Sequence, residues 1–156
     1  MGRAINLRIA FCEPAAESKM TGLMGPPTYR TGKICYIEIP SSDIQKSADF
    51  YQKAFGWQIR RRGDGSIAFD DTVNQVSGSW VLGRPPATEP SLMVYIMVAN
   101  AAAAVDEVTM AGGQLVQPLD PQARVVVATF RDPSGNLLGL YQQEGLAETE
   151  AARSTD

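Results

Sequence analysis

One pattern occurs twice along this chain, and it limits the fold more than any other feature. A strand-like run, a helical stretch, a glycine and a second strand-like run follow one another over residues 33–60 and again over residues 92–116. In the first copy, Lys-Ile-Cys-Tyr-Ile-Glu-Ile-Pro over 33–40 leads into helical spacing over 43–55, then Gly56 and Trp-Gln-Ile-Arg. In the second, Leu-Met-Val-Tyr-Ile-Met-Val over 92–98 leads into helical spacing over 101–111, then Gly112, Gly113 and Gln-Leu-Val. Further short strand-like segments follow each copy. The sequence therefore predicts an α+β protein of two βαβββ modules packed as one domain. That domain is expected over 32–144, with modules at about 32–84 and 90–144. An irregular arm rich in Gly, Pro, Ser, Thr and Met precedes it over 1–31, and a polar tail follows over 145–156.

Charge and cysteine content narrow the partners. With 156 residues, a net charge of -3 and a pI near 5.0, the chain can bury one sizeable core but has no basic surplus for phosphates, so no nucleic-acid partner is expected. The one basic cluster, Arg60, Arg61 and Arg62, reads as a strand end beside the turn Gly63, Asp64, Gly65. Cys12 and Cys35 are far apart, which argues against a disulfide framework and for a reducing, cytoplasmic setting. No apolar run approaches the length of a membrane span, and none is expected.

The helix ends and strand faces can be read from spacing. Ser42 with Gln45 forms a capping box for the first helix and Gly56 its left-handed stop; Asn100 caps the second. Ile44, Ala48, Tyr51, Ala54 and Phe55 form one stripe, and Ala101, Val105 and Val108 the other. Alternation places Cys35, Ile37 and Ile39, then Val94, Ile96 and Val98, then Leu138 and Leu140 beneath the helices. The opposite faces carry Ile34, Tyr36 and Glu38; Met93, Tyr95 and Met97; Leu137, Gly139, Tyr141 and Gln143. Rings, thioethers, a carboxylate and amides on one side suit a cavity wall better than dry packing. Tyr36, Glu38, Met93, Tyr95, Gly139 and Tyr141, with Trp80 from the fourth strand, are accordingly the candidate ligand-binding residues.

Arg-Asp-Pro-Ser-Gly-Asn-Leu-Leu-Gly-Leu-Tyr-Gln over 131–142, together with Glu-Ile-Pro over 38–40 and Asp-Phe-Tyr-Gln-Lys-Ala-Phe-Gly-Trp over 49–57, resembles the vicinal oxygen chelate superfamily of glyoxalase, bleomycin-resistance and extradiol dioxygenase proteins. The resemblance spans roughly residues 32–144 and implies two modules whose sheets curl into a ligand-holding cup. It also implies a divalent metal held by one residue from each of four inner strands, commonly two His and two Glu. This chain has no histidine, and the implied positions carry Ile34 or Tyr36, the stretch from Ser79 to Val81, Met93 and Gly139. None offers imidazole or carboxylate, so no metal cofactor is expected.

Without a metal, Glu38 is the one carboxylate on the faces opposite the helices able to act as acid or base, and pairing with an arginine such as Arg131 is its more ordinary role. Two readings follow. One is a metal-independent binding protein, homodimeric, for a small organic molecule. The other is a lyase, isomerase or dioxygenase-like enzyme with a non-standard metal site or Glu38 acid-base chemistry. A homodimer with no ligand in its cup is a third class.

Overall fold

The computed structural model describes residues 26–28, 34–89, 92–120, 122–123 and 126–153. Both predicted modules form. The first comprises β1 (Tyr36–Pro40), α1 (Ile44–Phe55), β2 (Gln58–Arg61), β3 (Ile67–Asp70) and β4 (Ser77–Val81). The second comprises β5 (Tyr95–Val98), α2 (Ala101–Met110), β6 (Gln114–Gln117), β7 (Val127–Arg131) and β8 (Leu137–Gln142). Each makes a four-stranded sheet of the same topology, β1-β4-β3-β2 and β5-β8-β7-β6. In both, the first and last strands pair in parallel and the other pairs are antiparallel.

Local chemistry sets the element ends. Asp43, not Ser42, caps α1, its carboxylate accepting from the backbone N–H of Lys46 at 3.0 Å. The expected capping box does not form because Gln45 turns outward, donating to Asp49 and accepting from Arg61. Gly56 takes the left-handed conformation, at φ 69°, that closes the helix. Asn100 caps α2 as expected, accepting from Ala103 N–H. Two strands start later than alternation implied: Ile34, Cys35, Met93 and Val94 precede β1 and β5, and Cys35 is exposed rather than under a helix. The C-terminal segment is not wholly irregular, for Leu146–Arg153 forms a short peripheral helix, α3. The N-terminal arm lies outside the described residues except for 26–28.

Both helix-bearing sheet faces enter one core. Ile39, Phe69 and Trp80 of the first sheet and Ala128, Phe130, Leu138 and Leu140 of the second are buried together with Ala48, Phe50, Tyr51 and Val108 of the helices. Tyr51 stacks on Trp57 at 4.5 Å between ring centroids, Trp57 on Phe69 at 4.5 Å, and Phe69 tilts against Trp80 at 4.8 Å. Such ring pairs add about 0.5–1.5 kcal/mol each beyond area burial. Phe50 reaches across to Phe130 at 6.1 Å, so α1 packs on both modules.

A buried polar joint completes the contact between modules. Asp132 accepts from Tyr51 Oη at 3.0 Å, from Asn136 Nδ2 at 2.8 Å, and from the backbone N–H of Ser134 and of Asn136 at 2.9 Å. Asn136 Nδ2 also donates to the Pro40 carbonyl at 2.7 Å, and its Oδ1 accepts from Ala87 N–H. Burial, followed by the charge and hydrogen bond of Asp132, pushes the Tyr51 hydroxyl well above its usual pKa of 10.0.

Candidate functional site

Because both inner faces are spent in the core, the opposite face of each sheet looks outward. The register fixes which residues appear there. In the first sheet Tyr36 lies beside Ser77 and Glu38 beside Ser79, with Ala68 and Asp70 on β3 and Gln58 and Arg60 on β2. In the second, Tyr95 lies beside Gly139 and Met97 beside Tyr141, with Val127 and Thr129 on β7. The predicted separation of helix-side and open-side residues thus holds for Ile37, Ile39, Ile96, Val98, Leu138 and Leu140 on one hand, and for Tyr36, Glu38, Tyr95 and Met97 on the other.

Trp80 is the exception. It pairs with Ile39 and is 3% exposed, inside the aromatic core rather than on the outward face. One strand carries side chains alternately up and down, so Ser79 takes the outward place and Trp80 the inner one.

The first outward face is polar and cross-linked. Arg60 forms a salt bridge with Asp70, which also accepts from Ser77 Oγ at 2.6 Å. Arg62 donates to Tyr36 Oη at 3.1 Å, and that hydroxyl donates to Ser79 Oγ at 3.0 Å. Glu38 pairs with Arg84 at 2.6 Å. Arg131, the partner expected for Glu38, instead donates to the carbonyls of Thr88 and Gly135. At the turn beyond Arg62, Ser66 hydrogen bonds hold the exposed Asp64 carboxyl below its usual range.

The second outward face is aromatic and open. Tyr95 is 51% and Met97 58% exposed, while Tyr141 is half-buried. A Cβ placed on Gly139 would lie 2.2 Å from Tyr95 Cδ1, so the Tyr95 ring covers this glycine. The absent side chain at 139 makes room for this neighbouring ring. One chain therefore brings Tyr36 and Glu38 together on one sheet and Tyr95, Gly139 and Tyr141 together on the other, but does not place all three tyrosines around a single concavity. Met93 stands just before β5, half-buried.

Sequence reasoning missed a groove at the lip of the first sheet. It measures about 510 Å³ and is walled by the first turn of α1 (Asp43, Ile44, Gln45), the β2–β3 turn, and Ser79, Trp80 and Leu82. Arg62 lines it as well. The arginine run was the available signal, but its three members diverge: Arg61 binds Gln45, Arg60 binds Asp70, and Arg62 reaches the groove.

The donor set does not fit a divalent cation. The positions implied by resemblance hold Ile34 or Tyr36, the β4 stretch containing Ser79, Met93, and Gly139 under a tyrosine ring. Among the described residues no three Cys, Asp or Glu side chains gather as metal ligands, and the chain lacks histidine.

A family model described as the Glyoxalase/Bleomycin resistance protein/Dioxygenase superfamily matches residues 33–140. The chain belongs to that superfamily. Among curated relatives, CFP32 of Mycobacterium tuberculosis is 28% identical over 122 residues, covering 73% of this chain and 47% of CFP32. The chain thus spans about half the length of that relative. A lactoylglutathione lyase of Escherichia coli O157:H7 is 26% identical over 135 residues, covering 78% of this chain and 96% of the lyase. Among solved structures, TnmS3, an antibiotic binding protein from Streptomyces sp. CB03234, superposes with a TM-score of 0.58 at 21% identity, covering 75% of this chain and 100% of TnmS3. A family enzyme from Burkholderia phytofirmans PsJN gives 0.59 at 17% identity, over 71% of this chain and 98% of that one. At such identities the structures share the fold. Among the described residues no helix is long and apolar enough to cross a membrane.

Proposed function

We propose that this member of the superfamily is a metal-independent, cytoplasmic binding protein for a small, partly aromatic molecule. The supporting observation is the Tyr95 ring seated over Gly139, which places an aromatic surface where the family resemblance would put a carboxylate ligand. Tyr95, Met97 and Tyr141 then offer a stacking wall, and the polar face of the first sheet offers hydrogen-bonding groups. Since the two faces look outward from one chain, the cup is built in a homodimer, the first sheet of one copy facing the second sheet of the other. Glu38, ion-paired with Arg84, serves there as a structural charge rather than a general base.

Relatives named as lactoylglutathione lyases keep an enzymatic reading in view, through a metal site that these donors do not suit or through Glu38, which Arg84 already engages. Metal analysis of untagged protein, joined to a thermal-shift screen of small aromatic compounds, separates the two. The binding reading expects no stoichiometric metal and at least one hit whose shift shrinks in Tyr95→Ala. One tightly held zinc, nickel, manganese or iron ion per chain would overturn it.

A further inference from the structure

The groove beside α1 has a directional hydrogen-bond relay along one wall. An arginine side chain can only donate, so at Arg62–Tyr36 the phenol oxygen accepts. The phenol proton then goes to Ser79 Oγ. What remains at the end of the relay is the Ser79 proton, on a residue that lines the groove together with Arg62 itself. The cationic start of the chain polarises each successive bond, which makes that terminal hydroxyl a stronger donor than an isolated serine.

The rest of the wall says what kind of acceptor fits. Ile44, Ile67 and Leu82 supply apolar surface. Asp43 adds a carboxylate to the groove lining, and Asp64 lies within electrostatic reach of Arg62, so the surroundings of the groove already carry negative charge. A full negative charge gains little in such surroundings, whereas a neutral carbonyl oxygen meets the donor without opposing a carboxylate.

We infer that this groove is a specificity subsite for a neutral carbonyl oxygen on an apolar or aromatic scaffold, with Ser79 as its donor and Arg62, acting through Tyr36, as the residue that orients and polarises it. The inference rests on the small-molecule-binding reading above and names the ligand class for it. It gives Glu38 no part in selecting a cationic or donor-bearing ligand, since Arg84 already engages that carboxylate.

The test is a titration of the full chain with four related probes, acetophenone, ethylbenzene, benzylammonium and benzoate, followed by amide chemical shifts. Acetophenone should bind several-fold more tightly than ethylbenzene, on the order of the fivefold that one hydrogen bond supplies, and should shift residues of the β2–β3 turn and β4. Ser79→Ala should erase the difference between ketone and hydrocarbon, and Ser79→Thr should restore it. Arg62→Met should reduce the difference without erasing it. Preference for benzylammonium, or a ketone preference that survives Ser79→Ala, overturns the inference. Equal binding of all four probes that is lost in Tyr95→Ala also overturns it while leaving the cup reading intact. Absence of any shift on either outward face counts against both.

Discussion

The two sheets share strand order, pairing and a helix over one face, yet their outward faces differ in chemistry. The first is laced by side-chain bonds: Arg60 with Asp70 and Ser77, Arg62 with Tyr36 and Ser79, Arg84 with Glu38. The second shows open rings and thioethers, with Tyr95 and Met97 more than half exposed. The inner faces remain alike, both apolar and both merged in one core. Divergence confined to the outward side is what a repeated module would show if its inner face served stability and its outer face served recognition. Under the binding reading proposed above, two unlike walls, one polar and one aromatic, would grip a ligand at both of its chemical ends.

The sharpest way to break this division is at the joint, where failure should reach both sheets. Asp132→Ala removes the acceptor for Tyr51, Asn136 and two backbone N–H groups at once, and Tyr51 and Asn136 are themselves buried. Loss of a buried, multiply bonded carboxylate is expected to cost about 3–5 kcal/mol, read as a large fall in the urea midpoint. If the variant melted like the parent, the modules would be held by apolar packing alone. The next effect should come from Gly78→Ala. A Cβ there would meet Phe69 Cζ at 2.2 Å and the Ile37 carbonyl at 2.3 Å, inside the core and partly against backbone. Overpacking of this kind costs about 1–3 kcal/mol, and calorimetry should show it.

Much of this division was legible in the sequence, because period-2 and period-3.6 spacing depend only on which side of a chain is wet. Ile37, Ile39, Leu138, Leu140, Ala48, Tyr51 and Val108 fall where their spacing put them. Trp80 was misplaced because β4, with Ser77, Gly78 and Ser79 before it, has no apolar alternation from which to fix its phase. The Asp132 joint was invisible for a different reason. Its partner Tyr51 stands 81 positions away, and no local pattern links residues so far apart. The groove likewise assembles from three separate segments.

A finer probe of the joint uses pH. The neutral Tyr51 phenol is favoured in the folded chain, so its contribution is complete below its ordinary pKa of 10.0 and is lost as pH rises through the higher folded value. Tyr51→Phe should therefore lose about 1–2 kcal/mol near neutrality, by stranding one lone pair of Asp132. Above about pH 10 the parent's stability should fall toward that of the variant, whose own curve lacks this contribution. Denaturant melts of both proteins at neutral and alkaline pH compare them directly. A constant gap across that range would mean that Tyr51 does not titrate in the way its surroundings imply.

The smallest effect on stability should come from a last-strand glycine on the opposite, outward side of its sheet, Gly139. In Gly139→Ala the added Cβ would again lie 2.2 Å from a ring carbon, but the ring belongs to Tyr95, which is 51% exposed and free to rotate toward solvent. The cost in folding should stay below about 1 kcal/mol, since an exposed ring can give way where a buried one cannot. Binding should respond differently, because swinging Tyr95 off β8 removes the flat surface that a ligand would stack on, and about 0.5–1.5 kcal/mol of affinity goes with an aromatic contact of this kind. The two substitutions thus form a contrasting pair: the same Gly→Ala change on the last strand of each sheet, at Gly78 on the core side and at Gly139 on the outward side, one read in the melting curve and the other in ligand titration. If Gly139→Ala destabilised the fold as much as Gly78→Ala and left affinity untouched, the outward face of the second sheet would be packing surface, and the asymmetry between the sheets would need another cause.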